Sequence, residues 1–75
     1  MNETQLRRRI VKFYDWLSSD RQYYLDLWKA TQDVDMQSYY GEKASTYTSI
    51  KLYLDKYFSG VISYEKSKEN RKHGL

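Results

Sequence analysis

The sequence predicts an all-α fold, and two observations support this prediction. Apolar residues recur at helical spacing in three separate segments, and polar residues that can cap a helix lie beside them. No segment alternates apolar and polar residues for long enough to form the strands of a sheet. Seventy-five residues are enough for one small domain. We therefore expect a single domain of short packed helices.

The most periodic segment predicts a central helix of about three turns from Thr46 to Phe58. Ser45 or Thr46 would cap its start by accepting a hydrogen bond from a free backbone N–H. Gly60 would close its end in a left-handed conformation. The apolar face that we expect to pack into the core consists of Tyr47, Ile50, Leu54, Tyr57 and Phe58.

Two further helices are predicted before this segment. The first runs from Glu3 to Leu17, and its inner face is formed by Leu6, Ile10, Phe13 and Leu17. Ser18-Ser19-Asp20 then interrupts the pattern, and Ser19 with Gln22 is typical of a capping box at the start of a new helix. The second helix covers Asp20 to Gln32, with Tyr24, Leu27, Trp28 and Thr31 on its inner face.

The remaining segments are less regular. Residues 33–44 predict a loop, pinned by Met36, Tyr39 and Tyr40. A last helix is expected to begin near Val61, but its apolar stripe stops at Tyr64 because Lys68 occupies the next position. Residues 67–75 are polar and predict a frayed tail, which leaves residues 1–66 as the folded domain.

The composition excludes several kinds of stabilisation. There is no cysteine, so neither a disulfide nor a thiolate-bound zinc can hold the fold together. Core burial must suffice, and nine tyrosines, two tryptophans and two phenylalanines supply much of the apolar surface. No apolar run approaches the ~20 residues needed to span a bilayer. We predict a soluble, cytoplasmic protein without a membrane partner.

Catalytic and metal-binding patterns are missing from the sequence. His73 is the only histidine and lies in the polar tail, so no histidine can activate a serine within the predicted domain. Asp33 and Asp35 begin an acidic stretch, but the later positions of a calcium-binding loop are not matched. We predict no enzymatic activity, no small-molecule substrate, no cofactor and no metal site.

Aromatic residues off the predicted core stripes are candidates for binding another protein. Tyr23, Tyr39 and Tyr53 lie outside the inner faces, and Trp16 lies among charged residues. Protein-binding surfaces are enriched in tyrosine and tryptophan. The sequence therefore predicts an interaction protein that self-associates or docks on a host or regulatory protein. The alternative is that these aromatic residues only cover a small core.

Basic residues on the first helix support a second hypothesis. Arg8, Arg9 and Lys12, beside Arg7, can contact the phosphates of a nucleic acid. The competing interpretation is a solvated helix face in which Glu3 and Arg7 form an i,i+4 pair. The modest net charge of +3 favours the solvated face, so nucleic-acid binding is our alternative function.

Two motifs resemble the YozE SAM-like family, small helical proteins of Gram-positive bacteria and their phages. Phe13-Tyr14-Asp15-Trp16-Leu17, followed by Arg21, resembles the opening Phe-Tyr-x-aromatic-Leu of that family. Tyr47-x-x-Ile50-x-x-Tyr53-Leu54-Asp55 resembles its Tyr-x-x-Ile-x-x-Tyr-Leu-acid helix. The chain lacks the family's Phe-Pro-Lys-like turn and its Phe-x-x-Ala-Trp block. The resemblance implies a SAM-like bundle of four to five short helices and a phage or mobile-element origin, but no activity.

Overall fold

Two long helices form an antiparallel hairpin in the computed structural model, which describes residues 2–72 and the side chains of residues 2–68. Helix α1 spans Glu3–Ala30 and helix α2 spans Val34–Lys72. Only residues 31–33 connect them. The all-α prediction is confirmed, whereas the predicted bundle of four to five short helices is wrong. The Cα radius of gyration is 15.4 Å, against about 11 Å for a typical globular chain of this length.

The polar residues at the middle of α1 do not end the helix. Ser18 Oγ donates a hydrogen bond to the carbonyl of Tyr14, 3.1 Å away in the preceding turn. A serine that bonds to this carbonyl can remain inside a helix. The predicted break at residues 18–20 is therefore wrong, and the two short helices predicted on either side of it are one helix.

The capping box lies at the start of α1. Asn2 Oδ1 accepts a hydrogen bond from the backbone N–H of Gln5 at 2.8 Å, and the Gln5 side chain accepts one from the backbone of Asn2. This reciprocal pair satisfies two backbone donors that have no partner within the helix. The predicted start at Glu3 is confirmed, and the capping box predicted from Ser19 and Gln22 is not formed.

The connection between the helices is far shorter than the predicted loop over residues 33–44. Asp33 Oδ1 accepts hydrogen bonds from the backbone N–H groups of Asp35 and Met36, at 2.9 and 3.1 Å. Asp33 therefore caps α2, and every residue after it in the predicted loop is helical. The carboxylate that could have suggested a metal site is used to start a helix.

The segment from Thr46 to Phe58 is helical as predicted, but it lies in the middle of α2. Thr46 Oγ1 donates to the carbonyl of Glu42 at 2.9 Å instead of capping a helix start. Gly60 lies within the helix, so the predicted end is also wrong. The helical backbone continues to Lys72, and residues 73–75 of the predicted tail lie outside the described residues. Fraying of the tail stays a prediction.

The apolar core is small and lies between the two helices. It consists of Val11, Leu17, Ala44, Leu54 and Ile62, of which only Leu17 is completely buried among the described residues. The predicted burial of Leu17 and Leu54 is confirmed. The predicted burial of Phe13 and Ile50 is wrong, since 43% and 36% of these residues remain exposed. Two helices in contact bury one narrow stripe each, so the outer parts of a wider apolar stripe stay in solvent.

Two polar contacts between the helices add to this core. Arg21 Nε donates to Thr48 Oγ1 at 2.6 Å, and Lys66 Nζ lies 2.7 Å from Asp15 Oδ1. The first joins the C-terminal half of α1 to the middle of α2, and the second joins the middle of α1 to the C-terminal part of α2. Within the described part of the chain, neither helix has a stretch apolar enough to cross a membrane.

Candidate protein-interaction surface

The residues at the contact between the two helices, which we call the seam, follow a regular repeat. Seam residues recur at alternating steps of three and four residues, the spacing of a left-handed coiled coil. All of them except Trp28 are buried or half-buried. The seam consists of Arg7, Ile10, Tyr14, Leu17, Arg21, Tyr24 and Trp28 on α1, and of Gln37, Tyr40, Ala44, Tyr47, Lys51, Leu54, Phe58, Val61 and Glu65 on α2.

Large exposed side chains gather on one side of the hairpin, which we call the aromatic face. Each member immediately precedes a seam residue, and each is at least 36% exposed. The members are Leu6, Phe13, Trp16, Tyr23, Met36, Tyr39, Ile50, Tyr53, Tyr57 and Tyr64.

Helix geometry explains why these residues share one side. A step of one residue turns a side chain about 100° from the seam, in the same rotational sense on both helices. Because the helices are antiparallel, the same sense on each brings both stripes to the same side of the hairpin. In each of two contacts on this side, a member of the aromatic face on one helix meets a seam residue of the other helix. The rings of Trp16 and Tyr47 lie 5.8 Å apart edge to face, and Arg7 Cζ lies 5.9 Å from the Tyr64 ring.

Ring contacts connect most of the predicted interaction residues. Phe13 stacks on Trp16 at 5.9 Å between ring centroids, and Trp16 contacts Tyr47, which stacks on Tyr24 at 5.8 Å. Tyr24 in turn contacts Tyr23 at 5.3 Å. The predicted residues Trp16 and Tyr23 therefore belong to one continuous aromatic surface that crosses the seam.

The other two predicted residues lie on the same face along α2. The ring centroids of Tyr39 and Tyr40 lie 5.7 Å apart, and the Tyr40 ring lies 6.2 Å from that of Tyr24. Tyr53 packs against Tyr57, with ring centroids 4.6 Å apart. Tyr57 was expected in the core and is instead 56% exposed.

Cations border the aromatic face. Lys43 Nζ lies 5.5 Å from the Tyr39 ring, Lys56 Nζ lies 5.3 Å from Tyr57, and Lys68 Nζ lies 4.8 Å from Tyr64. Ammonium groups at such distances are attracted by the electron-rich ring faces. An apolar centre with a charged rim is the usual anatomy of a protein-binding surface.

The opposite side of the hairpin has a different composition. The residues that immediately follow a seam residue include no aromatic residue. Polar residues such as Ser18 and Ser45 are among them, as are the buried Val11 and Ile62 and the exposed Leu52. A shallow groove of about 350 Å³ lies on this side near the turn. It is lined by Leu25, Trp28, Gly41, Ala44, Ser45 and Thr48. A Cβ atom at Gly41 would lie 3.3 Å from Trp28 Cδ1, so glycine lets the indole approach α2 closely.

Two seam tyrosines have perturbed acidities. Partial burial raises the pKa of Tyr14 above its usual value, and the nearby Asp55 carboxylate adds to this effect. Partial burial also raises the pKa of Tyr47, together with the Asp20 carboxylate. Both factors favour the neutral phenol. Each hydroxyl therefore keeps its proton, and with it the ability to donate a hydrogen bond, to a higher pH than an exposed tyrosine does.

The basic residues of the alternative hypothesis are exposed but do not share one side. Arg8 follows a seam residue and Arg9 precedes one, so they point to opposite sides of the hairpin, while Lys12 points away from α2. Arg7 pairs with Glu3 at 2.8 Å, as expected for an i,i+4 pair. Arg8, Arg9 and Lys12 therefore do not form one compact phosphate-binding patch.

Among the described residues, no other group of side chains stands out as a candidate chemical site. Within residues 2–68, no group of three or more His, Cys, Asp or Glu side chains could hold a metal ion. Glu65 is 8% exposed, and its Oε1 accepts no hydrogen bond from the part of the chain that the structure describes. Lys68 Nζ lies 3.9 Å from this oxygen. This buried carboxylate lies in the seam, where we expect it to lower the stability of the hairpin.

Sequence reasoning found only part of the aromatic face. The sequence pattern predicts core positions for Leu6, Phe13, Ile50 and Tyr57, and it does not identify Met36 and Tyr64 as binding residues. The signal that could have found them is their position directly before a residue of the three–four repeat. Comparisons with protein-family models, with curated proteins and with solved structures found no match. The resemblance to the YozE SAM-like family stays a prediction, and the short-helix bundle that it implied is wrong.

Proposed function

We propose that the protein is a non-enzymatic binding module that acts through protein–protein interaction, with the aromatic face as its binding surface. One observation carries this proposal. Every aromatic residue of the chain lies either in the seam or on the aromatic face, and none lies on the opposite side. A chain that needed tyrosines only to cover its core would have no reason to leave so many rings exposed on one side alone.

The energetics of binding favour this surface. Contiguous exposed apolar patches larger than a few hundred Å² are rare on proteins that act alone, and they mark interaction sites. Tyrosine and tryptophan are the residues that most often dominate binding energy, because they bury much area with little loss of side-chain freedom. Trp16, Tyr23, Tyr39 and Tyr53 are the anchors that we propose. The resemblance to a phage-associated family is consistent with an accessory protein of a phage or mobile element that docks on a host or regulatory protein or self-associates.

Site-specific photo-cross-linking tests the proposal. A benzoylphenylalanine in place of Tyr53 projects from the aromatic face, and one in place of Leu52 projects from the other side. The two positions are 61% and 62% exposed, so they are matched in accessibility. In a Gram-positive lysate we expect protease-sensitive adducts from position 53 and few from position 52.

The outcomes separate the two function classes. Equal yields of protein adducts from both positions would overturn the proposed surface. Nucleic-acid binding through Arg8, Arg9 and Lys12 is the second candidate, because all three are exposed and no ion pair with them occurs among residues 2–68. Adducts destroyed by nuclease, together with oligonucleotide affinity that falls steeply with salt, would support it instead.

A further inference from the structure

We infer that the partner on the aromatic face is a second copy of this chain, so that two hairpins pack face to face into a four-helix bundle. The inference rests on the proposed function for the position of the binding surface and adds the identity of the partner. Two helical hairpins can assemble in this way because four helices enclose a core that two helices leave open.

The exposed surface has the size that such a dimer needs. The chain exposes 5931 Å², whereas a folded monomer of 9.2 kDa typically exposes about 4,900 Å². The excess is on the order of 1,000 Å², and a stable interface buries about 800 Å² on each partner. Burial of an interface of this size would therefore bring the exposed surface of each chain close to that of an ordinary globular protein.

The residue pattern on each helix indicates two packing contacts, and the hairpin supplies only one. The seam stripe contacts the other helix of the hairpin. Directly beside it runs the second stripe, with Leu6, Phe13 and Trp16 on α1 and with Ile50, Tyr53 and Tyr57 on α2. A helix in a four-helix bundle contacts two neighbours, so its apolar surface is wider than a single coiled-coil stripe. In the hairpin, where this second neighbouring helix is absent, Leu17 is the only described residue that is completely buried.

Two charges on this side of α1 are complementary to each other. Arg9 and Asp20 both precede seam residues of α1, so both lie on the aromatic face. A two-fold axis perpendicular to the helices, passing between residues 14 and 15, packs α1 antiparallel on its copy. Arg9 then lies opposite Asp20 of the partner subunit, and Leu6 lies opposite Tyr23 of the partner subunit. Each copy contributes the same surface, as a two-fold interface requires.

Sedimentation velocity over a range of concentrations tests the inference, with a matched pair of variants. We expect the wild-type protein to have twice the 9.2 kDa of one chain at micromolar concentrations. Tyr53→Glu places a charge on the aromatic face and should raise the dissociation constant at least tenfold. Leu52→Glu places the same charge at an equally exposed position on the other side and should leave the dissociation constant unchanged.

Circular dichroism of each variant shows whether helix is retained. If Tyr53→Glu loses its helical signal, the wild-type melting temperature decides, because a dimer melts at higher temperature when its concentration is raised. A wild type that is monomeric, with a melting temperature independent of concentration, overturns the inference, as does equal weakening by Leu52→Glu. A monomer that still forms protein adducts through position 53 would overturn the dimer and leave the proposed function standing.

Discussion

Arg21 Nε donates a hydrogen bond to Thr48 Oγ1 across the hairpin, at a donor–acceptor distance of 2.6 Å. Both residues are half-buried, and the threonine hydroxyl also donates to the carbonyl of Ala44 at 2.9 Å. The guanidinium is thus held at a seam position where most coiled coils have an apolar residue.

The first prediction concerns this bond. Thr48→Val keeps the shape of the side chain but leaves the guanidinium without its acceptor, and it should cost about 1–3 kcal/mol of unfolding free energy. Urea denaturation measures the loss. Thr46→Val is the control, since the Thr46 hydroxyl is exposed and bonds only within its own helix. An equal loss in both variants would show that the contact between the helices contributes nothing.

Leu54 is the second target, because it is 8% exposed and belongs to the cluster with Leu17 and Ile62. Leu54→Ala should cost about 2–5 kcal/mol, which would leave so small a core largely unfolded. Thermal denaturation followed by circular dichroism measures this. Leu52→Ala removes the same atoms from an exposed position and should change stability by less than about 0.5 kcal/mol. A loss of that small size at Leu54 would contradict the described seam.

The buried carboxylate at Glu65 is expected to destabilise the hairpin. Its Oε1 accepts no hydrogen bond from the described residues, and Lys68 at 3.9 Å is too far to form one. Glu65→Leu should therefore raise the unfolding free energy, by about 1–3 kcal/mol. Glu65→Gln, which keeps a polar group there, should gain less. A loss of stability in the leucine variant would show that the carboxylate has a partner that this hairpin does not supply.

The predicted pairing of Arg9 with Asp20 of the partner subunit can be tested by charge exchange. Arg9→Glu alone and Asp20→Arg alone each place like charges opposite one another, and each should weaken the dimer several-fold. The double variant restores opposite charges and should recover most of the affinity. Sedimentation velocity at low salt measures all three. Purely additive weakening in the double variant would contradict this orientation of the two hairpins.

The seam tyrosines predict a loss of stability in alkali. Burial raises the pKa values of Tyr14 and Tyr47 in the folded state, while the unfolded chain ionises near the usual value of about 10. The stabilising contribution is therefore complete below about pH 10 and is lost as the pH rises through the folded-state pKa values. Denaturation midpoints at several pH values should fall less steeply for Tyr14→Phe and Tyr47→Phe than for the exposed control Tyr57→Phe. Equal slopes would contradict the prediction.

Features that depend on local spacing could be predicted from the sequence. The helical character of residues 3–17 and 46–58, the burial of Leu17 and Leu54, and the exposure of Trp16, Tyr23 and Tyr53 follow from where apolar residues recur along a helix. Tyr39 was predicted in a loop, so its place on a helix did not follow from this spacing. The division of the aromatic residues between seam and face was present in the same spacing. The sequence-based prediction misses this division because it places Phe13 and Ile50 in a core wide enough for a bundle.

By itself, then, the sequence determined that the chain is helical and which side chains share a stripe, because both depend on residues within one or two turns. The tertiary structure decided where the helices end and which stripe is covered. A serine or threonine hydroxyl can cap a new helix or donate a hydrogen bond to a carbonyl of the preceding turn. Ser18 donates to the carbonyl of Tyr14, and α1 continues past it along α2. The aromatic face stays exposed for a similar reason, since two helices offer each other one seam and no second neighbour.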